Sequence, residues 1–102
     1  MVKMWIDDIR PKPNEEWHHM KNSSDAIKFI KLNGMPDIIS FDHDLGDDDT
    51  SMKIINFIIN SYLDNKLQIN NNFTYFVHSA NPVGSQNIRS KLDNFLKHIR
   101  NQ

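Results

Sequence analysis

Three short apolar runs dictate most of what this chain can become. "VKMWI" at 2–6, "DIISF" at 37–41 and "FTYFV" at 73–77 are each strand-length and rich in β-branched and aromatic residues. Their near-continuous apolarity, without strict alternation, predicts strands buried on both faces, as in a parallel sheet. Each run then stops at polar groups: Asp7 and Asp8; Asp42, His43 and Asp44; His78, Ser79 and Asn81. Charge that would be costly to bury unpaired therefore recurs at the same end of every clear strand.

The intervening segments carry helical periodicity. "NSSDAIKFIKLNG" reads as a helix capped by Ser23 or Ser24, with Ala26, Ile27, Phe29 and Ile30 on its apolar face and Gly34 as its stop. "SMKIINFIINSYLDNKL" presents Ile54, Ile55, Ile58, Ile59, Tyr62 and Leu63 to a core, and the last segment does so with Ile88, Leu92, Phe95, Leu96 and Ile99. "IRPKPNEE", with two prolines one residue apart, must be loop, and "EWHHMK" is a candidate short strand. Strands alternating with helices through right-handed crossovers predict an α/β fold, a small doubly wound parallel sheet in a three-layer α/β/α domain. In such a sheet ligands bind outside the carboxyl ends of the strands, where all three polar clusters fall.

Composition bounds the function. The 102 residues suit one compact domain spanning 1–102. With no cysteine there is no disulfide, thiolate nucleophile or cysteine-bound zinc. A formal net charge of −1 does not advertise an extended grip on a nucleic-acid duplex, so a nucleic-acid substrate would be recognised locally. "MVKMWIDDIR" puts acids where a targeting core would be apolar, and no run is long enough to span a membrane. The expectation is a cytoplasmic protein without membrane partners. "NNN" at 70–72 is compositional bias in a loop.

Clustered carboxylates repel one another, so they share protons or hold a cation. Mg2+ takes oxygen ligands and is commonly bound by one or two carboxylates plus substrate phosphate, and Mn2+ accepts the same shell. The implied chemistry is on phosphate, although the chain has no glycine-rich phosphate loop.

The same residues carry a resemblance. "MWIDD" is similar to the first strand and acidic pair of receiver domains, "PDIISFD" to the strand ending in the phosphoryl-accepting aspartate, and "VHSA" to the strand ending in Thr/Ser-Ala. The departures are a missing first helix between Asp8 and Trp17 and the lack of a fifth strand with its phosphate-binding lysine. With "WIDDIRP", "SFDHDLG" and "HSANPVG" added, the chain resembles the cyclic-phosphate processing receiver-like family, inferred to act in RNA repair or nucleotide-based conflict.

The resemblance implies that Asp7 and Asp8 are metal ligands, Asp42 the central acid and Ser79 a contact to a phosphoryl oxygen. The expected activity is metal-assisted hydrolysis of a cyclic phosphate, on an RNA end or a nucleotide, with Asp7, Asp8 and Asp42 holding Mg2+ or Mn2+. Arg10 and Asn81 would join Ser79 at the phosphate, Arg10 taking over part of the lysine's work. His43 or His78 would protonate the departing ribose oxygen, with Asp44 orienting one of them. Attack by Asp42 itself is the other route. The alternative is a degenerate receiver that binds a nucleotide or partner protein without turnover.

The remaining features have plainer readings. Asp47, Asp48 and Asp49 form a solvated turn capping the following helix, His18, His19 and His98 lie at the surface, and Trp5 and Trp17 belong to the core, with stacking on a base as the functional reading of an aromatic near phosphate. Should the absent elements leave a sheet edge or apolar face uncovered, a homodimer would cover it.

Overall fold

The computed structural model describes residues 1–101. Four strands, β1 (Lys3–Ile6), β2 (Trp17–Met20), β3 (Ile38–Phe41) and β4 (Thr74–Val77), and three helices, α1 (Ser23–Asn33), α2 (Met52–Leu63) and α3 (Pro82–Arg100), follow in the order β1 β2 α1 β3 α2 β4 α3. The sheet is parallel throughout, ordered β2-β1-β3-β4. This is the small parallel α/β receiver-like architecture that the alternating pattern predicts, and "EWHHMK" does supply a strand.

Connection direction decides which face each helix covers. The crossovers β2→β3 and β3→β4 run the same way across the sheet, so right-handedness puts α1 and α2 on one face. There α1 packs on α2 and α2 on α3. The β1→β2 connection runs the opposite way and is loop, so the second face receives residues 7–16 in place of a helix. Cover on that side, expected as a third layer, comes from this loop: Trp5 Nε1 donates to Arg10 O at 3.1 Å and Lys3 pairs with Glu16 at 3.1 Å.

Alternation along the strands follows from this one-sidedness. Met4, Ile6, Ile39 and Phe41 point to the helices and are fully buried with Ile54, Ile55, Ile58 and Ile88. The register places Trp5 beside His19 and Ser40, and Ser40 beside Phe76, on the other face, where Phe76 is 54% exposed. Trp5 and Trp17 are therefore not in the main core as expected; they meet edge to face on the helix-free side, 5.9 Å apart.

Local signals shift by small steps. Asn22, not Ser23 or Ser24, caps α1, its side chain accepting from Asp25 N at 2.8 Å. Gly34 ends α1 at φ 85°, as its position predicted. Asp49 does not cap α2; it reaches across to α1, accepting from Ser23 N at 2.8 Å and Ser23 Oγ at 2.6 Å. Among the described residues no helix is long and apolar enough to cross a membrane.

Candidate functional site

The carboxyl ends of β1, β3 and β4 bring the polar clusters together. Asp7, Asp8 and Asp42 each offer an oxygen within 4.8 Å of the others. A cleft of about 360 Å³ opens beside them, lined by Asp8, Ile9 and Arg10 from the β1 end, Asp42, Asp44 and Gly46 from the β3 end, and Ser79, Ala80 and Asn81 from the β4 end. A larger cavity of about 410 Å³ lies between α1 and α2 at the opposite edge and holds no carboxylate, so it is remote from this chemistry.

Asp7 is the anchor. It is 1% exposed, yet Oδ1 accepts from Ile9 N at 2.9 Å and Arg10 N at 2.8 Å, and Oδ2 lies 3.0 Å from His78 Nε2. Burial pushes its pKa up, but the Arg10 and Ile9 amides and His78 together outweigh that and hold it below the usual carboxylate value. The same amide bonds fold the start of loop 7–16 into a tight turn, which projects Ile9, 83% exposed, and Arg10 at the cleft. Arg10 is then clamped, its Nη1 donating to His78 O at 2.6 Å and standing 3.8 Å from Asp7 Oδ2.

Asp42 is the contrasting acid. Burial raises its pKa, with a further push from the neighbouring Asp7 charge, although a hydrogen bond from the Ser79 hydroxyl, the His43 amide and His78 oppose the rise. Two nearby carboxylates thus have their affinities for a proton driven apart. Ser51 Oγ donates to Asp42 O and Ser51 N to His43 O, tying this strand end to the start of α2.

The two histidines do different things. His78 has both ring nitrogens engaged, Nε2 with Asp7 and Nδ1 with Ser40 Oγ at 2.7 Å, while its ring stacks on Trp5 at 3.8 Å. Desolvation lowers its pKa, and the Asp7 and Asp42 carboxylates only partly offset that. His43 uses Nδ1 alone, 3.1 Å from Asp44 Oδ1, and among the described residues Nε2 carries no hydrogen bond. Asp44 is held at both oxygens, because Asn81 Nδ2 donates to Oδ2 at 3.0 Å; these bonds to Asn81 and His43 lower its pKa against a slight desolvation effect. Asn81 also caps α3, accepting from Gly84 N at 3.0 Å.

All the sequence-predicted site residues therefore converge, but on two levels. Asp8, Asp42, Asp44, Arg10, Ser79 and Asn81 line the cleft, and the histidines stand next to it, His78 bonded to Asp7 and His43 to Asp44. Sequence reasoning missed Ser40 and Trp5, which seat His78, and Gly84, which abuts His43. It also placed His19 at the surface; His19 Nε2 lies 2.7 Å from Asp7 O and is half-buried, while His18 packs on Phe29 and His98 is exposed. The signal for Trp5 and Ser40 was strand alternation, which puts them on one face with His19, opposite Met4 and Ile39.

Sheet order, helix placement and an acidic cluster at the strand ends define a receiver-type α/β domain. The model of the cyclic-phosphate processing receiver domain matches residues 2–94, and the chain belongs to that family. No curated protein and no solved structure matches it.

Proposed function

We propose that the protein is a phosphoesterase that opens cyclic phosphates, a 2',3'-cyclic phosphate at an RNA end or on a nucleotide, with Mg2+ or Mn2+ as cofactor. The observation that carries this reading is the clustering of Asp7, Asp8 and Asp42, of which Asp8 and Asp42 line a cleft that also presents Arg10 and Ser79 while Asp7 is buried beside them. Three hard oxygen donors fit either ion, and the Asp7 pair of amide bonds presets one of them. When bound, such an ion supplies positive charge against the phosphate oxygens.

The chain's own groups do the rest. The free N–H groups of Arg10 pair with a non-bridging phosphate oxygen, and Ser79 Oγ, with Asn81 beside it, donates to another. Water attacks phosphorus, one ring P–O bond breaks, and the departing ribose oxygen takes a proton from Nε2 of His43 while the attacking water gives one up to Asp42. His43 is chosen over His78 because both nitrogens of His78 already face inward, to Ser40 and Asp7. His78 instead fixes the orientation of Asp7.

The test is hydrolysis of a panel of cyclic phosphates, including a 2',3'-cyclic-ended oligonucleotide, with Mg2+ or Mn2+, comparing wild type with Asp42→Asn. Metal-dependent ring opening, reduced at least about 10²-fold in the variant, is the expected result. Binding of a nucleotide by the wild type with no turnover would instead make the cleft a recognition site.

A further inference from the structure

The geometry points to Gly84 as a positioning residue for His43. The inference rests on the proposed role of His43 as proton donor and adds what holds its ring. Gly84 is the third residue of α3, after Asn81 at the cap and Pro82 and Val83. Its φ is not among the positive values of the chain, so glycine is not required there for conformational freedom. In an ordinary helix position alanine is the more stable choice.

What Gly84 supplies is space. A Cβ built on it would stand 2.7 Å from Nδ1 and 2.8 Å from Cβ of His43, with Cγ inside the same distance, closer than real contacts allow. The imidazole lies against bare helix backbone. Its edge is fixed by the same turn, because Asn81 accepts from Gly84 N through Oδ1 and donates through Nδ2 to Asp44, whose other oxygen meets His43 Nδ1. One amide thereby sets the helix start, Asp44 and the ring together. Gly84 closes the remaining freedom, leaving Nε2 as the ring nitrogen without a hydrogen bond among the described residues.

Gly84→Ala made in the wild type and in a His43→Gly background, which removes the Cβ as well as the ring, tests this. The two backgrounds should respond with opposite sign: a lowered Tm in the wild type, and a Tm raised by about 4 °C where the ring is gone and helix propensity alone acts. The His43 ring 15N spectrum should show a single ring environment in the wild type, with Nδ1 held by Asp44, and lose that uniformity in Gly84→Ala. With a cyclic phosphate substrate, kcat should fall about tenfold or more while KM stays within about twofold. The same Tm change in both backgrounds would overturn the seat, and an unchanged kcat despite a displaced ring would overturn the positioning role. Should no cyclic phosphate be hydrolysed by the wild type, the proposed function falls, while the Tm pair and the ring spectrum still decide whether Gly84 seats His43.

Discussion

Asp7 and Asp8 are adjacent in sequence and neighbours in the acidic cluster, yet they answer to different physics. Asp7 satisfies two backbone amides and one imidazole from inside the protein, so Asp7→Ala leaves three polar groups short and should cost about 3 kcal/mol in urea unfolding. Asp8 lines the cleft, and Asp8→Ala should change stability by less than about 0.5 kcal/mol. Both variants should lose Mn2+ binding in calorimetry, which separates the structural task from the shared one. His78 gives a pH signature. Its folded-state pKa is lowered, so the neutral ring is the form the fold prefers; that stability is complete above the unfolded value of 6.5 and is lost as pH falls from there towards the folded pKa. Urea unfolding with chelator should therefore show stability declining below pH 6.5, and His78→Asn should flatten that decline. Asp7, also lowered, adds its own loss only at more acid pH, below the ordinary carboxylate value of 3.8.

At the scale of elements, helix ends are where this chain joins distant parts. Asn22 caps α1 locally, whereas Asp49, twenty-six residues away, accepts from both the amide and the hydroxyl of Ser23 and draws the β3–α2 turn against the α1 start. The turn places Asp47 and Asp48 at φ 47° and 62°, exposed, so the three consecutive aspartates divide into two that shape the turn and one that docks it. Thermal unfolding should show Asn22→Ala costing about 1 kcal/mol, Asp49→Ala about 2 kcal/mol, and Asp48→Asn less than about 0.5 kcal/mol. An equal loss at Asp48 and Asp49 would contradict this division. The Asp49 role was not legible in sequence, because the composition of a turn does not say which helix it faces.

Across the whole molecule, the sheet is covered by helices on one side and by a clamped loop on the other. The consequence is that one side of the candidate site rests on the face without helices: Trp5 stacks on His78, Ser40 holds its second nitrogen, and Arg10 in the loop reaches back to His78 O. A cation that binds this cluster only in the folded state should stabilise the entire fold, by about 2.7 kcal/mol at a hundred times its Kd. Mn2+ should accordingly raise Tm in the wild type and leave Asp8→Ala unmoved in a thermal titration. Equal shifts in both proteins would place the ion elsewhere.

The sequence by itself determined the element types and the edge at which the polar clusters gather. Short apolar runs and 3.6-residue stripes are local patterns, and a parallel sheet brings every strand end of the same polarity to one edge. Hence the meeting of Asp7, Asp8, Asp42, Arg10, Ser79 and Asn81 at one edge was legible in the sequence. Tertiary structure alone decided the division of labour among groups of the same chemical type. Which histidine keeps a free nitrogen depends on Ser40, Asp7 and Trp5 for His78, and on Asp44 and Gly84 for His43. Those partners lie between one and seventy-three residues away, and only burial and packing fix which of them each ring meets. Similarly, Asp7 and Asp42 look alike as strand-end acids; their opposite shifts arise because amides converge on one and burial prevails at the other.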